Sequence, residues 1–240
     1  PSFINLFLCI FQINYIPISK NQSLLSTWQV DVAGRRGRST IFKAKKSLGQ
    51  NFLKSKKALG QIIVAGKVSP KDTVLEIGPG KGALTKKLLE SGATVIAVEK
   101  DERALEFLKE EFKKEIESKK LTLIHGDVLK INIEKLFKNK KYKLIANIPY
   151  YITGEIMRMF LSNKKQPEVI VFLVQKEVAE RIVAKDGKES ILSISVKIYG
   201  EPKYIATVKK ECFSPKPKVD SAILLIQNIS KKRLSTWQVD

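Results

Sequence analysis

The chain has 240 residues, 44 Lys and Arg against 24 Asp and Glu, and a formal charge of +20, long enough to bury a substantial core in one large domain. Its two cysteines, Cys9 and Cys212, exclude a disulfide framework and lack metal-site spacing, which fits a reducing, cytoplasmic setting. The charge is not an end effect: residues 41–230 keep 37 basic against 22 acidic residues, a balance that favours a polyanionic partner through counterion release.

Residues 1–19 are apolar but interrupted by Asn5, Gln12 and Asn14, so neither a clean spanning helix nor a signal peptide is read there, and no membrane association is expected. Leu-Ser-Thr-Trp-Gln-Val-Asp occurs at 25–31 and again at 234–240 and holds both tryptophans. Two copies do not make a solenoid, and both are read as foreign to the domain. The expected organisation is a poorly ordered extension over 1–42, a catalytic domain over 43–230 and a tail over 231–240.

Lys46-Ser47-Leu48-Gly49-Gln50-Asn51-Phe52-Leu53 precedes the first strand and is placed to close over a ligand. Thr73–Ile77 then reads as a β-type run that feeds the glycine turn Gly78-Pro79-Gly80-Lys81-Gly82, and Leu84, Leu88 and Leu89 mark the helix behind it. Strand, loop and helix in this order form a nucleotide-type site. The spacing E-x-G-x-G-x-G differs from both the dinucleotide and the P-loop fingerprints, and no Ser or Thr follows Lys81, which disfavours nucleotide hydrolysis. Thr94–Val98 ends in Glu99, which can accept both hydroxyls of a ribose. Leu121–Ile124 runs into Asp127, which can accept from an adenine amine, while His125 beside it is read as structural.

The run Tyr142–Ala146 delivers Asn147-Ile148-Pro149-Tyr150. This group suits a flat base with an exocyclic amine: an amide oxygen accepts from the amine, Pro149 biases residue 148 toward extended backbone, and Tyr150 offers a face for stacking. Val174–Val183 is predicted to be an amphipathic helix with a core-facing stripe, Ile191–Ile198 a strand by its alternation, and Ala222–Ile226 a buried closing strand. Between these last two lies the stiff, two-proline stretch Phe213–Ser221. Lysine-rich runs at 43–57, 138–143 and 209–218 are candidates for phosphate contacts, and Cys212 is read as a packing residue.

Taken in order, LGQNFL (48–53), EIGPGKGALT (76–85), Glu99, Asp127, NIPY (147–150), VQKEVAERI (174–182) and FSPKPKVDSA (213–222) resemble the ribosomal RNA adenine N6-methyltransferases. The likeness is strongest to the small-subunit adenine dimethyltransferases of the KsgA type, and it covers about residues 43–228. It implies an α/β, Rossmann-like, S-adenosylmethionine-dependent fold with a mostly parallel, seven-stranded sheet flanked by helices. It also implies N6-dimethylation of adenines near the 3′ end of small-subunit (16S) ribosomal RNA, with the small ribosomal subunit precursor as partner and the chain acting as a monomer. By the same resemblance Asn51 and Leu53 contact the cofactor from the N-terminal segment, Gly78 faces its methionine portion, Glu99 its ribose and Asp127 its adenine. Asn147 bridges cofactor and substrate, Pro149 shapes the turn, and Tyr150 and Phe213 sandwich the target adenine. No metal is implied.

The family also carries a small helical domain after the closing strand, whereas few residues follow Ile229; without it RNA docking suffers and cofactor binding survives. Three other readings are set against this one: a large-subunit (23S) methyltransferase conferring antibiotic resistance, a DNA adenine methyltransferase, and an RNA-binding assembly factor without catalysis. EIGPGKG and VQKEVAERI weigh against the first, LGQNFL and the FSPKPKV loop against the second, and the intact Gly78, Glu99, Asp127, Asn147 and Tyr150 against the third.

Overall fold

The structure, a computed structural model, describes residues 44–45, 49–184 and 186–231; the 1–42 extension, Cys9 and both copies of the heptapeptide lie outside the described residues. β1 (Phe52–Leu53) leads into α1 (Lys56–Ala65), whose first turn is capped by the Ser55 hydroxyl accepting from the Ala58 amide. β2 (Thr73–Ile77), α2 (Ala83–Glu90), β3 (Thr94–Glu99), α3 (Glu102–Glu111), the short α4 (Lys113–Glu117) and β4 (Leu121–His125) follow. Next come α5 (Ile133–Phe137), β5 (Lys143–Asn147), α6 (Thr153–Ser162), β6 (Val169–Gln175) and α7 (Lys176–Val183). The last elements are α8 (Ile191–Lys197), β7 (Glu201–Val208), β8 (Phe213–Ser214) and β9 (Ser221–Gln227).

Seven strands form one sheet in the order β4-β3-β2-β5-β6-β9-β7, and β1 and β8 make a separate two-stranded ribbon. The first five strands of the sheet are parallel; β9 is antiparallel to both β6 and β7, so it alone runs against the rest. Parallel strands need cover on both faces, and their near-continuous apolar composition supplies it. Successive side chains of a strand alternate between faces. Val74, Val95, Ala97, Ile145 and Val171 therefore pack with Leu59, Ile62, Leu84, Leu88 and Leu108 on one side. Leu75, Leu144, Ala146, Ile170 and Phe172 pack with Ile156, Phe160, Ala179 and Ile182 on the other. The expected mostly parallel, seven-stranded α/β sheet is present.

The two core layers also place the crevice. The chain leaves β2 into α2, whose Leu84 and Leu88 belong to one layer, and leaves β5 into α6, whose Ile156 and Phe160 belong to the other. Since β2 and β5 are neighbours, their exits diverge and a gap opens between the loops at their carboxyl ends.

Three expectations need correction. Ile191–Lys197 is a helix, not a strand. A capping box starts it: Ser193 N donates to the Ser190 hydroxyl, and Ser190 N donates to the Ser193 hydroxyl. Leu192, Val196 and Tyr199 then share a helical stripe against the core, so the alternation that suggests a strand is incidental. Second, Val174 and Gln175 end β6, and the helix begins only at Lys176; its core face, with Ala179 and Ile182 buried, is as expected. Third, Lys143 is not a surface phosphate contact. Its ammonium donates to Asp72 at 2.9 Å and to the Lys67 carbonyl at 2.7 Å, with the side chain 12% exposed.

Gly82 is the N-cap of α2 at φ +74°, and a Cβ there would lie 2.4 Å from the Phe112 ring and 2.9 Å from Leu108. Gly82→Ala thus combines left-handed backbone strain with overpacking. We expect it to lose about 2–4 kcal/mol of stability in urea denaturation, and an unchanged midpoint would refute this account of the turn.

Candidate functional site

One cavity lies at the diverging strand ends, lined by the Gly49–Phe52 segment, the loop after β2, the ends of β3 and β4, and residues 147–152. Gly78, at φ +64°, has open space where a Cβ would stand, so its backbone borders the cavity directly. The Phe52 ring covers the other side of the glycine loop, close enough that a Cβ on Gly80 would meet it at 2.7 Å.

Glu99, at the end of β3, is 5% exposed and binds backbone. Its Oε1 accepts from Lys100 N and Asp101 N, both at 2.8 Å, and its Oε2 accepts from Gly80 N at 3.0 Å. Burial pushes this carboxyl up, and the three amides pull it back only in part. Two carboxylate oxygens offer about four lone-pair sites, so roughly one acceptor position remains, on Oε2. Oε2, which accepts a single amide, therefore keeps acceptor capacity for a hydroxyl without surrendering a backbone bond.

Asp127 accepts from Leu129 N at 3.1 Å through Oδ1 and from the Lys100 ammonium at 3.0 Å through Oδ2. Burial alone would raise its carboxyl; the Lys100 hydrogen bond and charge and the Leu129 amide outweigh that and hold it below the usual range. Asp127 thus stays ionised as an acceptor, with Lys100 as a cavity-lining neighbour.

Asn147 ends β5. Its Nδ2 donates to the Asn51 carbonyl at 2.9 Å. A carbonyl can only accept, so the amide nitrogen must face it, and the side chain's Oδ1 remains as the acceptor end. The same bond ties the N-terminal segment to the strand end. That segment is held again by Gln50 Nε2 donating to Asp101 Oδ2 at 3.0 Å, while Asp101 itself receives Arg103 through Nε at 3.0 Å and Nη2 at 2.7 Å. Pro149, at ψ 133°, turns the chain into a single 3₁₀ turn over Tyr150–Ile152.

The structure brings Asn51, Gly78, Glu99, Asp127, Asn147, Pro149 and Tyr150 around this one cavity. Leu53 and Phe213 are not among its lining residues. They face each other in the β1–β8 ribbon, 5% and 3% exposed, and both side chains lie in the core. In a short antiparallel ribbon one pair faces the core and the next faces away, so Phe52 rather than Leu53 reaches the cavity. The expectation that the Phe213 ring lies across from Tyr150 is not met, because that ring is packed beneath the ribbon. Phe52, Lys100 and Tyr151 also line the cavity; in the sequence, only their adjacency to Asn51, Glu99 and Tyr150 points to them.

Outside the cavity, Lys209 pairs with Asp220 and Lys216 with Glu211, so parts of the third lysine run are internally neutralised. His125 is exposed at the end of β4, and Cys212 packs against the core. Among the described residues no cluster could hold a metal ion, and no helix is long and apolar enough to cross a membrane.

The sheet order, with β9 alone reversed and a cavity where the parallel strands diverge, defines the class: a Rossmann-like methyltransferase fold. The model of the ribosomal RNA adenine dimethylase family matches residues 41–239, and the chain belongs to that family. It is 46% identical over 185 residues to a ribosomal RNA small subunit methyltransferase A from Dehalococcoides mccartyi, covering 77% of this chain and 62% of that relative. The chain therefore spans less than two thirds of that relative's length. A dimethyladenosine transferase structure from Plasmodium falciparum superposes with a TM-score of 0.66 at 33% identity, covering 76% of this chain and 65% of the other. A 23S rRNA methyltransferase structure gives 0.67 at 28% identity, over 74% and 69%.

Beneath the cavity, Glu76 is 1% exposed and accepts from the Thr85 hydroxyl at 2.7 Å, tying β2 to α2 across the glycine loop. Burial raises its carboxyl from 4.5 to about 8, against the Thr85 hydrogen bond and with a smaller push from Glu99. The folded chain thus keeps a proton that the unfolded chain loses near 4.5, and this contribution to stability falls as pH rises from there through about 8. Glu76→Gln should gain on the wild type between pH 5 and pH 8 by on the order of a few kcal/mol in paired denaturation curves. Parallel pH dependences would mean that Glu76 is ionised in the fold.

Proposed function

We propose that this chain carries out S-adenosylmethionine-dependent N6-dimethylation of adenines near the 3′ end of small-subunit ribosomal RNA, on the precursor of that subunit. The observation that carries the reading is the tethered Asn147: with Nδ2 committed to the Asn51 carbonyl, Oδ1 is the end left to accept from an exocyclic amine beside Tyr150. The kinship to small-subunit methyltransferases supports the choice of RNA.

The cavity suits the cofactor. Gly78 leaves room against the backbone, Glu99 retains acceptor capacity for a ribose hydroxyl, and Asp127 is an ionised acceptor within the same cavity. S-adenosylmethionine, when bound, supplies a methyl carbon already activated by its sulfonium. What remains for the protein is largely positioning. Asn147 Oδ1 and the carbonyl of Ile148 would accept the two amine N–H groups and favour a pyramidal nitrogen whose lone pair is less delocalised into the ring. Tyr150 would hold the base by stacking once it has left its RNA neighbours. The proton leaves after the nitrogen–carbon bond forms, so no strong base is required.

The likeness to a 23S rRNA methyltransferase structure gives a second reading, methylation of large-subunit RNA. One experiment separates the two. Unmethylated small and large subunits are incubated with labelled S-adenosylmethionine, and the label is mapped by nuclease digestion and mass spectrometry. Dimethyladenosine near the 3′ end of small-subunit RNA is expected; label confined to the large subunit would transfer the proposal there. No label despite cofactor binding would favour an assembly factor without catalysis. Asn147→Ala should lower turnover by at least about 100-fold while leaving the melting temperature within a few degrees, and retained activity would overturn the role given to its amide.

A further inference from the structure

Two side chains of the 147–150 segment are held from outside it, by opposite flanks of the chain. Asn147 is tied to Asn51, from the N-terminal segment. Tyr150 is tied to Ser221: their hydroxyls lie 2.7 Å apart, with either oxygen able to donate. Ser221 is fully buried and opens β9. Because β9 runs against its neighbours, its first residue lies beside Gln175, the last residue of β6, at the carboxyl edge where the cavity opens. A buried serine hydroxyl is commonly satisfied by backbone nearby in sequence. This one instead reaches across 71 residues to an aromatic side chain that lines the cavity.

We infer that Ser221 is a positioning residue for Tyr150, holding the phenol end so that the ring keeps its place in the cavity before a base arrives. The inference rests on the base-binding reading above. Tyr150 opens a single 3₁₀ turn, and the hydrogen bond to Ser221 anchors the far end of its side chain. A ring fixed at Cα alone swings about its first side-chain torsion; a second anchor at Oη stops that swing, although rotation about the ring's own long axis leaves Oη in place. A ring held in place then costs less entropy to present, and the amine of a base stacked on it stays within reach of Asn147. A serine is suited to this: its hydroxyl reaches the phenol, and its small side chain fits a fully buried position between β6 and β7.

The test compares wild type, Ser221→Ala, Tyr150→Phe and the double variant on unmethylated ribosomal subunits. Both single changes delete the same hydrogen bond and leave the aromatic ring in place. Each should lower kcat about 5–20-fold while the KM for S-adenosylmethionine stays within about twofold, and the double variant should be no slower than the worse single. A structural role alone would move cofactor affinity and melting temperature together. Wild-type kcat in either single variant, or losses that multiply in the double, would overturn the inference. If Ser221→Ala does not fold, Tyr150→Phe decides, since it removes the bond from the less buried side. Cofactor binding without product from the wild type would sink the base-binding reading itself, and this inference with it.

Discussion

The divergence of the chain at the ends of β2 and β5 is the constraint on which the rest of the structure depends. The helices after β2 and β3 share one face of the sheet, but the strand order reverses between β2 and β5, so α2 joins one core layer and α6 the other. The gap this leaves is the place where backbone and side chains from several segments converge without filling the space. Every residue assigned to the site is reached through that geometry. β3 and β4 add their ends on one side, and the Gly49–Phe52 segment crosses the opening.

A polar frame keeps the opening in shape. Glu99 gathers three amides, joining the glycine loop after β2 to the start of α3. Asp101 receives Arg103 and Gln50, and Asn147 receives the support of the Asn51 carbonyl. These groups are costly to bury unless satisfied, and their partners come from four separate elements. Such a frame fixes acceptors for a ligand while sharing them with the protein. Glu99 illustrates the compromise: the bonds that position it also consume most of its acceptor capacity. Asn147 illustrates the gain, because the bond that uses its donor end orients its acceptor end.

Much of this was readable in advance where local chemistry and tertiary role coincide. β2, β3 and β5 are apolar, β-branched runs ending in Gly78, Glu99 and Asn147, and strand ends in such a sheet are where ligands bind. Their convergence on one cavity follows from topology. Ile191–Ile198 reads as a strand because its apolar residues satisfy both a period of two and a helical stripe, and only the Ser190 capping box and the packing of Leu192 and Val196 decide for the helix. Lys143 reads as one more lysine in a basic run, yet its neighbours in space include Asp72, 71 residues away. Leu53 and Phe213 sit in motif segments, and motif membership alone does not tell which face of a two-residue strand a side chain takes.

Residue type and short-range spacing set the strand–loop–helix order, the chemical kinds of group at each strand end and the basic charge of the domain, and the resemblance of the motifs added the class of fold. The tertiary structure decided which atoms remain available. It assigned the donor of Asn147 to Asn51, committed Glu99 to three backbone amides, put Lys100 on Asp127, buried Phe213 and joined Tyr150 to Ser221. These outcomes depend on contacts between residues distant in the chain, where hydrogen-bond geometry and packing act only after the strands have assembled.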